Sequence, residues 1–340
     1  GIKSVLKKLS VKQKEIGNNV RTFSLKEGDP DFEHLSSIRQ FYKAIQSDRP
    51  DIVIFHSIYY FLYIPFVIIL WLRKIPYGIM LHGALSFENY KVSHIKKRIA
   101  NILFFNQFIR NAKSIIYLNN NEYHNSIVKT INSNYTIIPN GCDRILELNY
   151  ETEQPNEPIQ IVYIGRIKRI HKGLDILLDA IELIQGWELC KKVRFTFYGD
   201  GNDLELSWFK ERIQQVSSIA EFKGPIYGEY KDDVMRKSDI FILTSRFEGM
   251  PMGVLEALSY GLPCILTPGT NIGEEVKAAG AGWLTDAKSD KIADVINSAV
   301  KELYLKRNLL KNNAIELSKK YDWSNIAIMS INEYQKMINK

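Results

Sequence analysis

The stretch "DIFILTSRFEGMPMGVLEALSYGLPCILT" (residues 239–267) sets the fold of the chain. An apolar run of strand length, DIFILTS, gives way to a polar turn around Glu248 and Gly249. A helical pattern, PMGVLEALSYG, follows, and then a second apolar run, PCILT. Strands that read as unbroken apolar runs and are joined through helices are buried on both faces, which means a parallel sheet. Pro251 suits the start of the helix, where its missing N–H would go unpaired anyway. The turn is therefore both the carboxyl end of a strand and the amino end of a helix, and its amides and helix dipole favour an anion. Gly249 and Gly253 let a ligand approach the backbone. Glu248 and Glu256 flank the turn, and carboxylates accept hydrogen bonds from sugar or ribose hydroxyls. Together these features fit an anionic ligand with hydroxyls on both sides.

The same alternation runs in both directions from this stretch. Strand-like runs precede it at 20–25, 51–56, 77–81, 114–118 and 135–139, and then at 159–165, 192–199 and 219–224. Another follows at 281–285, and "GLDILLDAIELI" (173–184) is one of the helical patterns between strands. The expected fold class is α/β, with two facing doubly wound domains. Residues 148–158, "LNYETEQPNEP", are polar, aperiodic and carry two prolines, which marks a linker. The expected domains are thus 1–147 and 159–320, with a last helix over 321–340. Ligands in such sheets bind at the carboxyl ends of strands, so the expected site is the cleft between domains.

The chain has 340 residues, 45% hydrophobic and 24% charged, which suits two globular domains. Its net charge of +7 is lopsided: residues 1–150 hold 20 Lys+Arg against 11 Asp+Glu. That half suits an anionic membrane surface, a phosphorylated substrate or a nucleic acid, or else a plain solvated basic face. Lys91, Lys96, Lys97 and Arg98 stand beside an apolar helical run over 90–110, a pattern for peripheral contact with anionic lipid. Residues 58–72, "IYYFLYIPFVIILWL", are shorter than the ~20 residues a spanning helix needs, so a buried or membrane-contacting helix is expected. Basic and aromatic residues do not interleave as in a single-strand groove, and no nucleic-acid partner is expected. Cys142, Cys190 and Cys264 are scattered without metal-ligand spacing, which fits a reducing, cytoplasmic setting.

Arg166 follows the strand at 159–165, and Lys172 precedes the helix that starts at Gly173. A planar fork and a mobile point charge at strand ends can stabilise a departing diphosphate, taking the place of a metal. The one D-x-D string, "GDPDF" (28–32), reads as a surface turn, and no metal or other cofactor is expected. His82 ends the strand at 77–81, and Asn140 with Gly141 reads as a hinge.

"EGMPMGVLEALSYGLPCI" resembles the E-x7-E signature of retaining GT-B glycosyltransferases of glycosyltransferase family 4. "IGRIKRIHKGLDILLDA", "YGDG", "IPNGCD", "LHGALS" and "YDWSNIA" are similar to further elements of that family, in order along nearly the whole chain. The resemblance implies a GT-B fold with a C-terminal crossing helix and sugar transfer from a nucleotide-diphosphate sugar to a glycan or lipid-linked acceptor. It implies that Glu248 orients the sugar, Glu256 holds the ribose, and Arg166 and Lys172 meet the diphosphate. Gly249, Met250, Pro251, Met252 and Gly253 then line the phosphates, and His82 lies beside the donor sugar. "GIKSVLKKLS" looks like the family's first helix, with Gly1 the last of a glycine pair under the donor and the first strand missing.

Three other readings share parts of the pattern. A dinucleotide oxidoreductase would need G-x-G-x-x-G after its first strand, and "YGDGND" supplies only G-x-G. A non-catalytic glycan- or nucleotide-sugar-binding subunit and a nucleotide-sugar epimerase are the others.

Overall fold

The computed structural model describes residues 2–28, 30–58, 60–83, 105–145 and 157–339, so the linker expected at 148–158 lies almost wholly outside the described residues. The chain divides into two compact units, Gly1–Gly141 with Trp323–Lys340, and Cys142–Asp322.

In the first unit, α1 (Ile2–Glu15) leads to β1 (Phe23–Ser24), which pairs in parallel with β2 (Glu33–His34). The run at 20–25 thus makes a short strand that stands apart from the main sheet. α2 (Ile38–Asp48) is capped by Ser37, whose side chain accepts from the Gln40 amide at 3.3 Å. Then come β3 (Val53–His56), α3 (Tyr63–Leu72), β4 (Tyr77–Met80), α4 (Asn106–Arg110), β5 (Ser114–Tyr117), α5 (Asn120–His124) and β6 (Tyr135–Ile137). Strands β3 to β6 pair in chain order, all in parallel. β4 and β5 are buried along their whole length, as their unbroken apolar runs require. Aromatic rings fill the core on one side of this sheet: Phe41 stacks on Phe66 at 4.1 Å and Tyr77 on Phe108 at 5.6 Å.

The second unit is a six-stranded parallel sheet built from β7 (Ile159–Ile164), α6 (Leu174–Gln185), β8 (Val193–Tyr198), α7 (Asp203–Gln214), β9 (Ala220–Phe222), α8 (Gly228–Lys237), β10 (Ile240–Leu243), α9 (Met252–Ser259), β11 (Cys264–Leu266), α10 (Gly273–Ala278) and β12 (Gly282–Leu284). The strand order is β12-β11-β10-β7-β8-β9. The chain therefore starts in the middle, runs out to β9, and returns to lay β10 on the other side of β7. This reversal opens a crevice beyond the carboxyl ends of β7 and β10, the place where open α/β sheets bind ligands. α9 begins at Met252 with Pro251 as its cap residue, one position later than a proline in the first turn would give. α11 (Ser289–Lys319) covers the sheet and is pinned just past its kink at Lys306 by Arg307, which donates to the buried Asp239 carboxylate at 2.9 Å. α12 (Trp323–Asn339) returns to the first unit, where buried Gln13 donates to Ser330 at 2.8 Å.

One glycine holds loops together at the β7 end of the crevice. A Cβ on Gly199 would lie 1.8 Å from the Gly165 carbonyl oxygen, so the turn after β8 presses directly on the loop after β7. At Gly186 the nearest atom to such a Cβ is 3.6 Å away. Gly199→Ala is expected to lower unfolding free energy by about 2 kcal/mol or more, as overpacking against fixed backbone does. Gly186→Ala should change it by less than about 0.5 kcal/mol. Urea denaturation of the two variants checks the contrast.

Candidate functional site

The site is assembled from the loops that leave β7 and β10. Gly173 sits at φ +61°, and a Cβ there would meet the Thr244 carbonyl oxygen at 2.1 Å. Only glycine accepts both the left-handed backbone and that approach. Thr244 Oγ1 donates back to the Gly173 carbonyl at 3.0 Å. Two residues on, Arg246 forks onto Asp175 at 2.7 and 2.8 Å and also donates to the Ile170 carbonyl at 2.8 Å. The Arg246 amide donates to the His171 carbonyl at 3.0 Å. These bonds make the two loops one rigid piece, with Lys172 in one and Glu248 in the other.

Lys172 Nζ donates to Glu248 Oε1, and Ser245 Oγ donates to the same oxygen at 2.7 Å. The two charged side chains are only 11% and 12% exposed, so this is a largely desolvated pair. Asn271, in left-handed backbone at φ +60°, donates through Nδ2 to the Glu248 carbonyl at 2.5 Å and fixes the turn from below. His171 Nδ1 lies 3.9 Å from Glu248 Oε1, and it is buried with no hydrogen-bond partner among the described residues. Burial lowers the His171 pKa to about 4; Lys172, Lys168 and Arg166 push the same way against Glu248. The ring is neutral at pH 7, set edge-on to Phe247 at 4.3 Å.

Arg166 follows β7 with its side chain exposed, and its carbonyl accepts from the buried Tyr163 hydroxyl at 2.8 Å. The loop is thereby anchored while the guanidinium stays free of any ion pair among the described residues. At the other end of the turn, Glu256 on α9 pairs with Lys231 of α8 at 2.5 Å, each about a quarter exposed. Met250 and Pro251 are buried, and Met252 is partly so. A Cβ on Gly253 would meet the Phe241 ring at 3.2 Å and the Ile164 carbonyl at 3.3 Å. Close helix-to-sheet packing thus already favours glycine at 253, apart from any ligand.

His82 belongs to the first unit and stands in left-handed backbone at φ +51°. Its Nε2 lies 2.9 Å from His56 Nδ1, with the rings stacked at 5.2 Å. Burial lowers the His82 pKa to about 4, and burial, with His82 as neighbour, lowers that of His56 well below its ordinary value. Buried Glu122 accepts from the Gly83 amide at 2.5 Å and the Leu118 amide at 2.6 Å. One carboxylate thus clamps the His82–Gly83 turn to the end of β5, while burial raises its own pKa. Gly1 and the basic run at 91–98 lie outside the described residues, as does Asp29 of the D-x-D string. Asp31 of that string pairs with Lys7 at 2.5 Å. Among the described residues no cluster of three metal-ligating side chains occurs.

The structure therefore brings Lys172 and Glu248 together, leaves Arg166 exposed on the loop after β7, and places Glu256 just over one turn into α9. Sequence reading missed Lys231, His171, Ser245, Arg246, Asn271 and, in the first unit, Glu122 and His56. Only His171 carried a signal, as the neighbour of Lys172.

Comparison with known proteins bears on the family and the fold. Residues 12–144 match the family model described as Glycosyltransferase Family 4, and residues 158–302 match that described as Glycosyl transferases group 1. A lipopolysaccharide 1,6-galactosyltransferase of Escherichia coli K12 is 32% identical over 118 residues, 33% of this chain and 31% of that protein. The alignments span 25%, 65% and 31% of the lengths of the first three curated relatives. Sucrose-phosphate synthase from Thermosynechococcus elongatus superposes with a TM-score of 0.72 at 15% identity, covering 100% of this chain and 94% of that one. HepE of Anabaena, solved in complex with UDP, gives 0.69 at 19% identity, covering 88% and 82%. The fold is of the GT-B type.

The lowered histidine pKa values set a pH window. In the unfolded chain His82 and His171 titrate near ~6.5, and in the folded protein near 4, so the unfolded state takes up protons first as pH falls. The stability held by these neutral rings is complete above about pH 6.5 and drains away towards pH 4. Thermal unfolding followed down that window should show the midpoint of His82→Gln, and of His171→Gln, falling less steeply than that of the unsubstituted protein. Parallel slopes would refute it.

Proposed function

We propose, from the premise that this chain belongs to the family 4 and group 1 glycosyltransferases, that it transfers a sugar from a nucleotide-diphosphate donor to a glycan or lipid-linked hydroxyl. The observation that carries the reading is the Lys172–Glu248 pair, brought together at the reversal of strand order and backed by His171, unpartnered among the described residues. A cation and a carboxylate side by side at a helix start match a ligand whose phosphate adjoins a hydroxyl-rich ring.

In this reading the diphosphate is held by Arg166, Lys172 and the amides of the turn over 249–253. It competes with Glu248 for Lys172, leaving that carboxylate to accept from the sugar hydroxyls. Glu256, held in place by Lys231, accepts from the ribose. The bond from the anomeric carbon to the phosphate oxygen breaks, and the diphosphate leaves with the electron pair. The acceptor oxygen bonds to the same carbon on the same face, so configuration is retained, and its proton passes to a donor phosphate oxygen. Fixed cations at a leaving group whose charge grows act where catalysis gains most. They do the work of a divalent metal, so transfer is expected to be metal-independent. His82, neutral and braced by His56 and Glu122, is a hydrogen-bonding partner for the donor sugar.

UDP is the proposed nucleotide, supported by the UDP carried by HepE, a structural relative. Assembly of a bacterial surface polysaccharide is the proposed setting, supported by the lipopolysaccharide galactosyltransferase relative. Cytoplasmic placement with peripheral membrane contact fits such acceptors. Among the described residues no helix is long and apolar enough to cross a membrane.

A screen of UDP- and GDP-sugars by thermal shift, followed by assay of released nucleotide, tests the reading. Lys172→Ala and Glu248→Ala should each lower turnover by about 100-fold or more. Glu256→Ala should chiefly raise the KM for donor, and EDTA should leave the rate unchanged. Near-normal turnover in both Lys172→Ala and Glu248→Ala would sink the assignment; donor binding without turnover in the unsubstituted protein would favour a binding subunit.

A further inference from the structure

We propose that α3 seats the chain on an anionic phospholipid bilayer through the face it turns away from its own core. α3 is apolar on every side. Phe66, Val67 and Leu70 are buried, with Phe66 stacked on Phe41 of α2. The opposite stripe carries Phe61, just before the helix, then Ile68 and Leu72, which are 69%, 47% and 79% exposed. The spacing of four puts Ile68 and Leu72 on one side of the helix, and Phe61 stands exposed in the turn that leads into it. A helix that only covers a core would place polar residues there, and a contiguous exposed apolar stripe marks an interaction surface.

Charge decides what the stripe fits. No Asp or Glu occurs between Asp51 and Glu88, whereas Arg73 and Lys74 follow α3 directly. Arg39 and Lys43 are exposed on the neighbouring helix α2. The Arg73 guanidinium lies over the Tyr42 ring at 5.1 Å and donates to its hydroxyl, which joins the basic side of α2 to the end of α3. Cations along the border of an apolar stripe are the arrangement by which a helix lies in the headgroup layer, its apolar side chains at the acyl boundary and its charges on phosphates. Ten residues make a helix about 15 Å long, too short to cross and long enough to lie flat. Trp71, at the end of α3 and 44% exposed, is of the residue type that gathers at membrane interfaces. The inference stands on α3 and its surroundings, independently of the donor chemistry.

Sedimentation of the full chain with vesicles of phosphatidylcholine, alone or with about one third phosphatidylglycerol, tests it. Binding is expected to the mixed vesicles only, with Trp71 emission moving to the blue; the shift should vanish in Trp71→Phe. Ile68→Gln/Leu72→Gln should weaken binding by about tenfold, and Lys74→Gln or added salt by several-fold. A thermal shift with UDP, equal in all variants, would show that fold and donor site are intact. No binding to mixed vesicles, or equal binding by the Ile68→Gln/Leu72→Gln variant, overturns the proposal. So does a vesicle-independent dimer that this variant dissolves, since a second copy would then be the occupant. Trp71 emission shielded from an aqueous quencher would also overturn it, by showing that the chain covers the face itself. Loss of the UDP shift with vesicle binding retained would instead strike the glycosyltransferase reading.

Discussion

The approach of Gly173 to the Thr244 carbonyl is the contact on which the candidate site depends. Lys172 and Glu248 are 76 positions apart, on loops that leave different strands. Parallel pairing of β7 and β10 brings those loops near each other, and it leaves their relative height unset. A side chain at 173 would hold them apart, because it would occupy the carbonyl's place. With glycine there, Thr244 can return a hydrogen bond and Arg246 can close its fork on Asp175. The fork is charge-assisted, planar and bidentate, so it fixes direction as well as distance. Asn271 then fixes the Glu248 backbone from the side of β11. The ion pair is the last step of this chain of constraints.

Much of the fold was legible in the sequence because parallel strands buried on both faces leave unbroken apolar runs, as at 240–243 and 114–117. Glycines and prolines marked the turns between them. Strand order was not legible, since nothing in a run such as VRTFSL says whether it joins the main sheet or pairs, as it does, with Glu33–His34. The same divide applies to the site. Glu248, Glu256, Arg166 and Lys172 stood out because a helix start, a strand end and a glycine lay next to them. Lys231 did not, because it meets Glu256 only through the packing of α8 against α9. Arg246 and Asp175 read as ordinary surface charges until the loops close. Nothing in the sequence marked Glu122, yet α5 turns it inward to take the backbone amides of Gly83 and Leu118.

The first unit solves a different electrostatic problem. Its sequence is basic, yet the one carboxylate it buries deeply beside a predicted site residue is kept there by amides alone. Glu122 accepts from Gly83 and Leu118, and the cost of desolvation shows as a raised pKa. The neighbouring His56 and His82 are driven the opposite way by the same burial, towards the neutral form. Two neutral rings sharing one proton between nitrogens 2.9 Å apart hold a definite tautomer relation: one ring donates and the other accepts. A neutral imidazole so oriented offers a directed hydrogen bond without adding positive charge, which suits a sugar hydroxyl better than a phosphate.

The energetics of the Lys172–Glu248 pair bear on why such residues stand at the crevice at all. Removing both charges from water costs several kcal/mol per ion in general, and their attraction repays this only in part. Well-packed apolar residues at 172 and 248 would hold the two loops at least as firmly, given that Gly173, Thr244 and Arg246 already do so. Stability therefore gives no reason for a lysine and a carboxylate at about one tenth exposure. The more open Lys231–Glu256 pair contributes little stability by itself, as exposed ion pairs do. Both pairs make physical sense as sites held ready: each side chain is kept oriented and partly dry by its partner. A ligand that brings both phosphate and hydroxyls replaces that partner on both sides at once, so neither charge is left buried and unpaired. A ligand with only one of the two groups would strand the other charge, and the donor chemistry proposed here follows from that asymmetry.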